Sequence, residues 1–484
     1  MAMNYTRTVL IGCLFSSFLS PAQAAPRDIG EGLRNNSISK ALKNSEQQYS
    51  LWSGIGYLTT QDSACTATLI DTRNFENKAV GPAYLITSGH CVTAEIGTTK
   101  LNQTFDASIT FNYFYDTPDN HKTYKVRTAN WTSMVGTDMA LLEVDKPLAL
   151  LIENGIVPLK LAPLPPLDRH DVLNVGAPGK FVEKGLRLSA CTQEVSRTMS
   201  DSISRFPGGL TNQCADLHPG SSGSPMLDRR TNEIISITSE KGYSYAANFI
   251  SDCFINGVFT NNSENCTLRE VDITIDLPSL FTTHTYSHWN SAGKEILPTW
   301  DYKFSINSPY YRYKTTRDAI NCQDPNRYSA AISSTSPHIN SAIGPQTRMH
   351  VLCIIGVESQ EQKLSSGLLR NTFTHAVYLA EPAPVPNITL NSNRHINITW
   401  ENSYPEYTSH FFHLGPADST QCGNHDDPRY KTIADSGVLY SFSPVKLCSY
   451  ARRDTEPHLS AIRFDVITLP PIERNTTSTT STAP

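Results

Sequence analysis

The chain has 484 residues, too many for one domain and enough for two to four. Its 40 Lys and Arg against 45 Asp and Glu leave a net charge of −5, which excludes the basic field of a nucleic-acid binder. Turn residues are dense and no long heptad pattern occurs, so an all-β chain is expected.

Residues 1–24 read as a secretory signal. Arg7 is positive, residues 8–19 are apolar, and Ala22-Gln23-Ala24 is a small-x-small cleavage site before Ala25. The apolar stretch is too short for a membrane anchor. Leu10-Ile11-Gly12-Cys13 resembles a lipobox, but almost no apolar residues precede it. No later segment is apolar enough to cross a membrane. A secreted protein is expected, with the periplasm as second choice. Residues 25–50 are polar and aperiodic, as in a propeptide or a surface arm.

Of 11 cysteines, Cys13 leaves with the signal. An even ten remain, which in an exported chain points to disulfides. They fall in local couples: Cys65 and Cys91, Cys191 and Cys214, Cys253 and Cys266, Cys322 and Cys353, Cys422 and Cys448. Pairing within couples is the simplest expectation. No couple has the short spacing of a zinc site, and neither metal nor cofactor is expected.

Strand-length apolar runs, bounded by turns, fill residues 51–285. The proline-rich stretch 161–166 divides them. An internal repeat follows. Trp300 stands 22 residues before Cys322, and Trp400 stands 22 before Cys422. Asp318 and Asp418 each stand four before the cysteine. Asp324-Pro325 and Tyr328 recur as Asp427-Pro428 and Tyr430. Two tandem β-sandwich modules are expected at 290–380 and 387–470, joined by the proline-rich linker 381–386. A Thr/Ser-rich tail at 474–484 is expected to be disordered.

Three residues carry the chemistry. Ser222 lies in Pro219-Gly220-Ser-Ser-Gly-Ser-Pro225, where glycines on both sides allow a sharp turn and close approach of substrate. The amides of Gly220 and Ser222 are the expected oxyanion donors. His90 ends the apolar run Ala83–Thr87 and adjoins Cys91, a rigid setting for a general base. Asp138 opens the apolar run Met139–Leu142 and needs a partner to offset its burial; the His90 imidazole is that partner. Each alone is commonplace: a surface turn, a histidine beside a cystine, a strand-edge aspartate. The order His, Asp, Ser joins them.

Residues 51–262 resemble a trypsin-like serine peptidase, in particular the bacterial glutamyl and lysyl endopeptidases. The resemblance rests on Trp52–Leu58, Cys65–Ile70, Leu85–Cys91, Asp138–Leu142, Gly220–Pro225 and Gly257–Thr260. It implies two six-stranded antiparallel barrels, the chymotrypsin-like double β-barrel, with the triad between them. It also implies pairing of Cys65 with Cys91. The sandwich modules resemble fibronectin type III or Ig-like repeats. Ser88-Gly89 replaces the usual Ala-Ala or Ala-His before the histidine; both are small, so the change is expected to be harmless. Ser221 replaces the aspartate that receives the new N-terminus in animal trypsins, so that activation switch is not expected.

The resemblance implies that residues just before Ser222 and the strands at about 234–241 and 250–259 build the S1 pocket. Asp216 and Asp252 are candidate acidic floors, which would favour Lys or Arg at P1. Thr238 stands where glutamyl enzymes carry a histidine, which argues against Glu specificity, although His218 is near. The expected function is a secreted serine endopeptidase acting on proteins or peptides. Its C-terminal modules would bind protein, glycan or a cell surface. The alternative is a protease-like adhesin with little or no activity. A serine esterase of the α/β-hydrolase type is opposed by the residue order.

Overall fold

The structure is a computed structural model and describes residues 28–195, 206–261, 266–275, 283–290, 294–390, 396–400, 407–433, 438–440, 444–453 and 458–468. The expected signal segment and tail lie outside the described residues.

Six strands form the first barrel: β1 (Ile55–Thr59), β2 (Ala64–Leu69), β3 (Pro82–Thr87), β4 (Thr98–Phe111), β5 (Lys122–Met134) and β6 (Asp138–Pro147). They pair antiparallel in the order β1-β2-β3-β6-β5-β4, and Leu58 opposite Ile109 closes β4 onto β1. Six more form the second: β7 (His170–Gly176), β8 (Arg187–Val195), β9 (Gly209–Asn212), β10 (Pro225–Asp228), β11 (Ile234–Thr238) and β12 (Tyr243–Ala246). Their order is β7-β8-β9-β12-β11-β10, closed by Leu227 opposite Leu173. The same strand order occurs in both barrels. The expected all-β, chymotrypsin-like double barrel is therefore present.

Apolar side chains explain the closure. Leu58, Leu85, Ile109, Val126 and Leu142 are buried within the first barrel. Val172, Cys191, Met226 and Ile235 do the same in the second. A further cluster lies across the two, with Trp52, Trp131 and Met139 against Val175, Leu188 and Tyr245. Burying such side chains contributes about 1.5–3 kcal/mol each, so the barrels associate as one unit.

The segment before the first barrel is knitted into the second. Lys40 and Ala41 pair antiparallel with Leu188 and Arg187 of β8. Leu42 is fully buried in the inter-barrel core. Asp28 pairs with Arg229 at 2.7 Å.

The C-terminal half is also all-β. Strand β13 (Val271–Ile275) adds to β4 of the first barrel through Val271 opposite Thr99 and Asp272 opposite Thr98. Beyond it lie β15 (Tyr302–Ile306) and the short His338–Ile339 strand. A second sheet holds β14 (Thr283–Thr285), β19 (Phe373–Leu379), β18 (Arg348–Val357) and β16 (Tyr310–Thr316), with β17 (Ile332–Ser333) at its edge. Ile273, Tyr302, Phe304, Leu352 and Phe373 share a core. Val271 and Ile273, which precede residue 290, share that core.

All five cysteine couples are disulfides: Cys65–Cys91, Cys191–Cys214, Cys253–Cys266, Cys322–Cys353 and Cys422–Cys448. Around the last two, the same bond recurs. The Tyr328 hydroxyl donates to the Cys322 carbonyl at 2.7 Å, and the Tyr430 hydroxyl to the Cys422 carbonyl at 2.9 Å. The repeated Asp-Pro…Tyr pattern thus fastens each cystine loop. Asp318 accepts from the Ile320 amide at 3.2 Å, an N-cap that gives this repeated aspartate a structural task.

Candidate active site

His90 follows β3 in a short 3-10 turn, Gly89–Cys91. Asp138 is the first residue of β6. Their pairing is local to the first barrel, because β3 and β6 are hydrogen-bonded neighbours. The His90 amide donates to Asp138 Oδ1 at 2.8 Å, and His90 Nδ1 lies 2.7 Å from Oδ2. An ionised carboxylate only accepts, so Nδ1 carries the proton. That leaves Nε2 of the neutral ring as the acceptor.

A third donor comes from the second barrel. The Ser239 hydroxyl bonds Asp138 Oδ2. Ser239 follows β11 directly and was not singled out by sequence reasoning. The Asp138 side chain is 3% exposed and that of His90 35%. Burial works against a charged imidazole, but the hydrogen bond and charge of Asp138, with the charge of Glu240, outweigh it and raise the His90 pKa above 6.5.

Gly89 is not interchangeable with alanine here. A Cβ at residue 89 would run into the Ser133 carbonyl oxygen and come within 3.1 Å of Asp138 Oδ1. The His90 turn lies so close to Ser133 of β5 and to the start of β6 that the space at residue 89 fits glycine.

The Ser222 turn belongs to the second barrel and leans on β2 and β3. The Thr66 amide donates to the Ser222 carbonyl at 2.7 Å, and Thr66 Oγ1 to the Gly220 carbonyl at 2.8 Å. Gly220 has φ +98° and Gly223 φ +84°. A Cβ on Gly223 would strike the Thr66 carbonyl and the Thr87 hydroxyl. Both glycines are thus required by conformation and by space. The amides of Ser221, Gly223 and Ser224 have internal acceptors in His218, Thr238 and Ser221. Among the described residues, the amides of Gly220 and Ser222 have none. Ser222 is half-buried, and no hydrogen bond joins its hydroxyl to His90 among the described residues. Catalytic hydrogen bonds often close only when substrate is bound.

The two sulfurs of Cys65–Cys91 and a His90 ring nitrogen lie within 4.8 Å of one another. A disulfide offers no thiolate to a metal, so the cystine acts as a brace for the histidine turn.

The S1 candidates diverge. Asp216 accepts from Ser39, through its amide at 2.8 Å and its hydroxyl at 2.7 Å. Those bonds, aided by nearby Arg187, hold its carboxyl below the usual range. Arg187 in turn donates to the Ser39 hydroxyl at 2.7 Å. Asp216 is therefore engaged by the N-terminal arm. Asp252 is exposed in the 3-10 turn Asn248–Cys253. Thr238 is buried, and its hydroxyl accepts from Asn174 at 3.0 Å inside the second barrel. The hairpin after it is tight, with Tyr243 donating to the Glu240 carbonyl at 2.9 Å. Its tip carries exposed Glu240 and Lys241. A groove of about 490 Å³ adjoins the Ser222 turn, bordered by Tyr57, Ala64, Gly179, Lys180, Pro219 and Gly220.

Residues 65–237 match the trypsin-like peptidase domain. The matched stretch runs from β2 to β11 and contains all three triad candidates. Among solved structures, the chain is similar to the thermostable serine protease AL20 of an extremophilic microorganism, at 14% identity over 41% of this chain and 92% of that one, TM-score 0.31. It is also similar to a Glu endopeptidase bound to MPD, at 18% identity over 44% and 94%, TM-score 0.31. The protease Anisep from Arthrobacter nicotinovorans is similar at 15% identity over 40% of this chain and 90% of that one, TM-score 0.28. No curated protein is matched by the sequence.

Proposed function

We propose that the chain is a serine endopeptidase in which His90, Asp138 and Ser222 form the triad. One observation carries this reading. A buried aspartate fixes a histidine on one barrel, beside a glycine-shaped serine turn on the other, where two amides lack internal acceptors. His90 Nε2 takes the Ser222 proton as Oγ attacks the scissile carbonyl carbon. The Gly220 and Ser222 amides receive the oxyanion. The intermediate collapses as the imidazolium protonates the leaving amine, and an acyl-enzyme remains. Water, deprotonated by His90, then releases the acid and restores Ser222. Asp138 keeps the imidazole oriented and stabilises its charged form throughout.

Preference for Lys or Arg at P1 is the finer part of the proposal. With Asp216 engaged by Ser39, the acidic group proposed for a basic P1 side chain is Glu240, exposed at the tip of the hairpin that follows β11. The five disulfides fit an exported protein, secreted or periplasmic. No helix among the described residues is long and apolar enough to cross a membrane.

Digestion of a mixed peptide library, with cut sites read by mass spectrometry, tests the proposal. Cleavage after Lys and Arg, abolished by Ser222→Ala and weakened for those residues by Glu240→Gln, is expected. Cleavage after other residues would remove the P1 assignment. No cleavage by the unmutated chain would leave a protease-like binding protein.

A further inference from the structure

We propose that the first C-terminal unit is a working part of the catalytic domain: it holds the 135–137 turn, and Val135 and Gly136 are positioning residues for the His90–Asp138 pair. This rests on the serine peptidase reading.

The turn joins β5 to β6 and leads directly into Asp138. Hairpin turns usually lie at the surface. Here Val135 is fully buried, and its companions are not those of either barrel. It packs with Val271, Ile273, Trp300 and Tyr302 in the core of the C-terminal unit. Gly136 is seated next to it, with φ +71°. A Cβ there would run into the Arg370 carbonyl oxygen and come within 3.1 Å of the Thr372 amide nitrogen. A backbone-to-backbone approach this close leaves the turn no room to move outward. Gly97 makes the third contact: its amide donates to the Met134 carbonyl at 3.1 Å, and its carbonyl accepts from the Ile273 amide at 2.9 Å. The residue just before the turn is thus tied, through Gly97, to β13.

The same unit grips the second barrel. Gln323 donates to the Pro207 carbonyl, just before β9, at 3.2 Å, while Asn371 donates to the Thr267 carbonyl, in the segment leading from that barrel to β13, at 3.2 Å. The Arg370 guanidinium lies 5.0 Å over the Phe249 ring, which meets Trp131 of β5 edge-on at 6.0 Å. His90 and Asp138 stand on one barrel and Ser222 on the other. A unit seated on both sets the spacing on which proton transfer depends. Misplacement of a reacting group by about 1 Å can cost on the order of 10²-fold in rate.

The test uses the full chain with Val135→Ser, and with Val135→Thr as a near-isosteric second variant should the serine variant not fold. A fluorophosphonate counts competent Ser222, so kcat is expressed per titrated site. The expected result is a fall in kcat per site of about tenfold for the serine variant, with KM changed by less than about twofold. The acid limb of kcat/KM should also move to lower pH, because a loosened Asp138 no longer raises His90; Glu240 is the other charge acting on that ring. A folded variant with unchanged kcat per site and an unchanged acid limb would overturn the inference. If the unmutated chain is not titrated by the fluorophosphonate, the peptidase reading fails instead.

Discussion

At the scale of single residues, the site is built around one buried carboxylate. Asp138 accepts from the His90 amide, the His90 ring and Ser239. Ser239→Ala should lower kcat by roughly tenfold, the value of about one hydrogen bond to a charged group, while Ser222 remains reactive. Gly89→Ala should be more damaging, since its Cβ would strike the Ser133 carbonyl and displace the histidine turn. The pH profile follows from the raised His90 pKa. The base must be neutral, so kcat/KM should fall on acidification with a midpoint above the ordinary 6.5 of histidine. A profile with its midpoint below that value would contradict the pairing. Stability runs the other way. The His90–Asp138 contribution is complete below the unfolded pKa and is lost as pH rises through the folded one. The proposed triad could be picked out in the sequence because each candidate sits in a short motif of its own. Ser239 could not: its role is a contact between barrels, and nothing in Thr238-Ser239-Glu240 announces it.

At the scale of elements, strands and cystines do the positioning. Cys65–Cys91 ties the start of β2 to the histidine turn across a separation of 26 residues. Replacing both cysteines by alanine should destabilise the protein by about 3 kcal/mol, read from denaturant unfolding, and broaden the His90 geometry. The arm at 28–49 is a second such element. Ser39 engages Asp216, which precedes the oxyanion turn by a few residues. Asp216→Asn should therefore lower the melting temperature and kcat while leaving P1 preference intact. A selective loss of Lys and Arg cleavage would instead return Asp216 to the S1 pocket. The sequence left the arm open between propeptide and surface arm, because its residues are polar and aperiodic. Its anchoring depends on partners such as Arg187 and Arg229, far along the chain, which composition does not reveal.

At the scale of the whole molecule, the two barrels share one core, and the first barrel shares another with the first C-terminal unit. The barrels were legible because apolar runs and turn signals alternate regularly through residues 51–262. The joint between the first barrel and the C-terminal unit was not. It depends on β13 pairing with Thr98 and Thr99, and on Val135 entering a core more than a hundred residues away in sequence. The most direct test of the whole account is labelling with a fluorophosphonate, followed by mapping of the modified peptide. The account predicts one adduct, on Ser222, formed rapidly near neutral pH and strongly slowed by His90→Gln. An unlabelled chain, or an adduct on another serine, would contradict it.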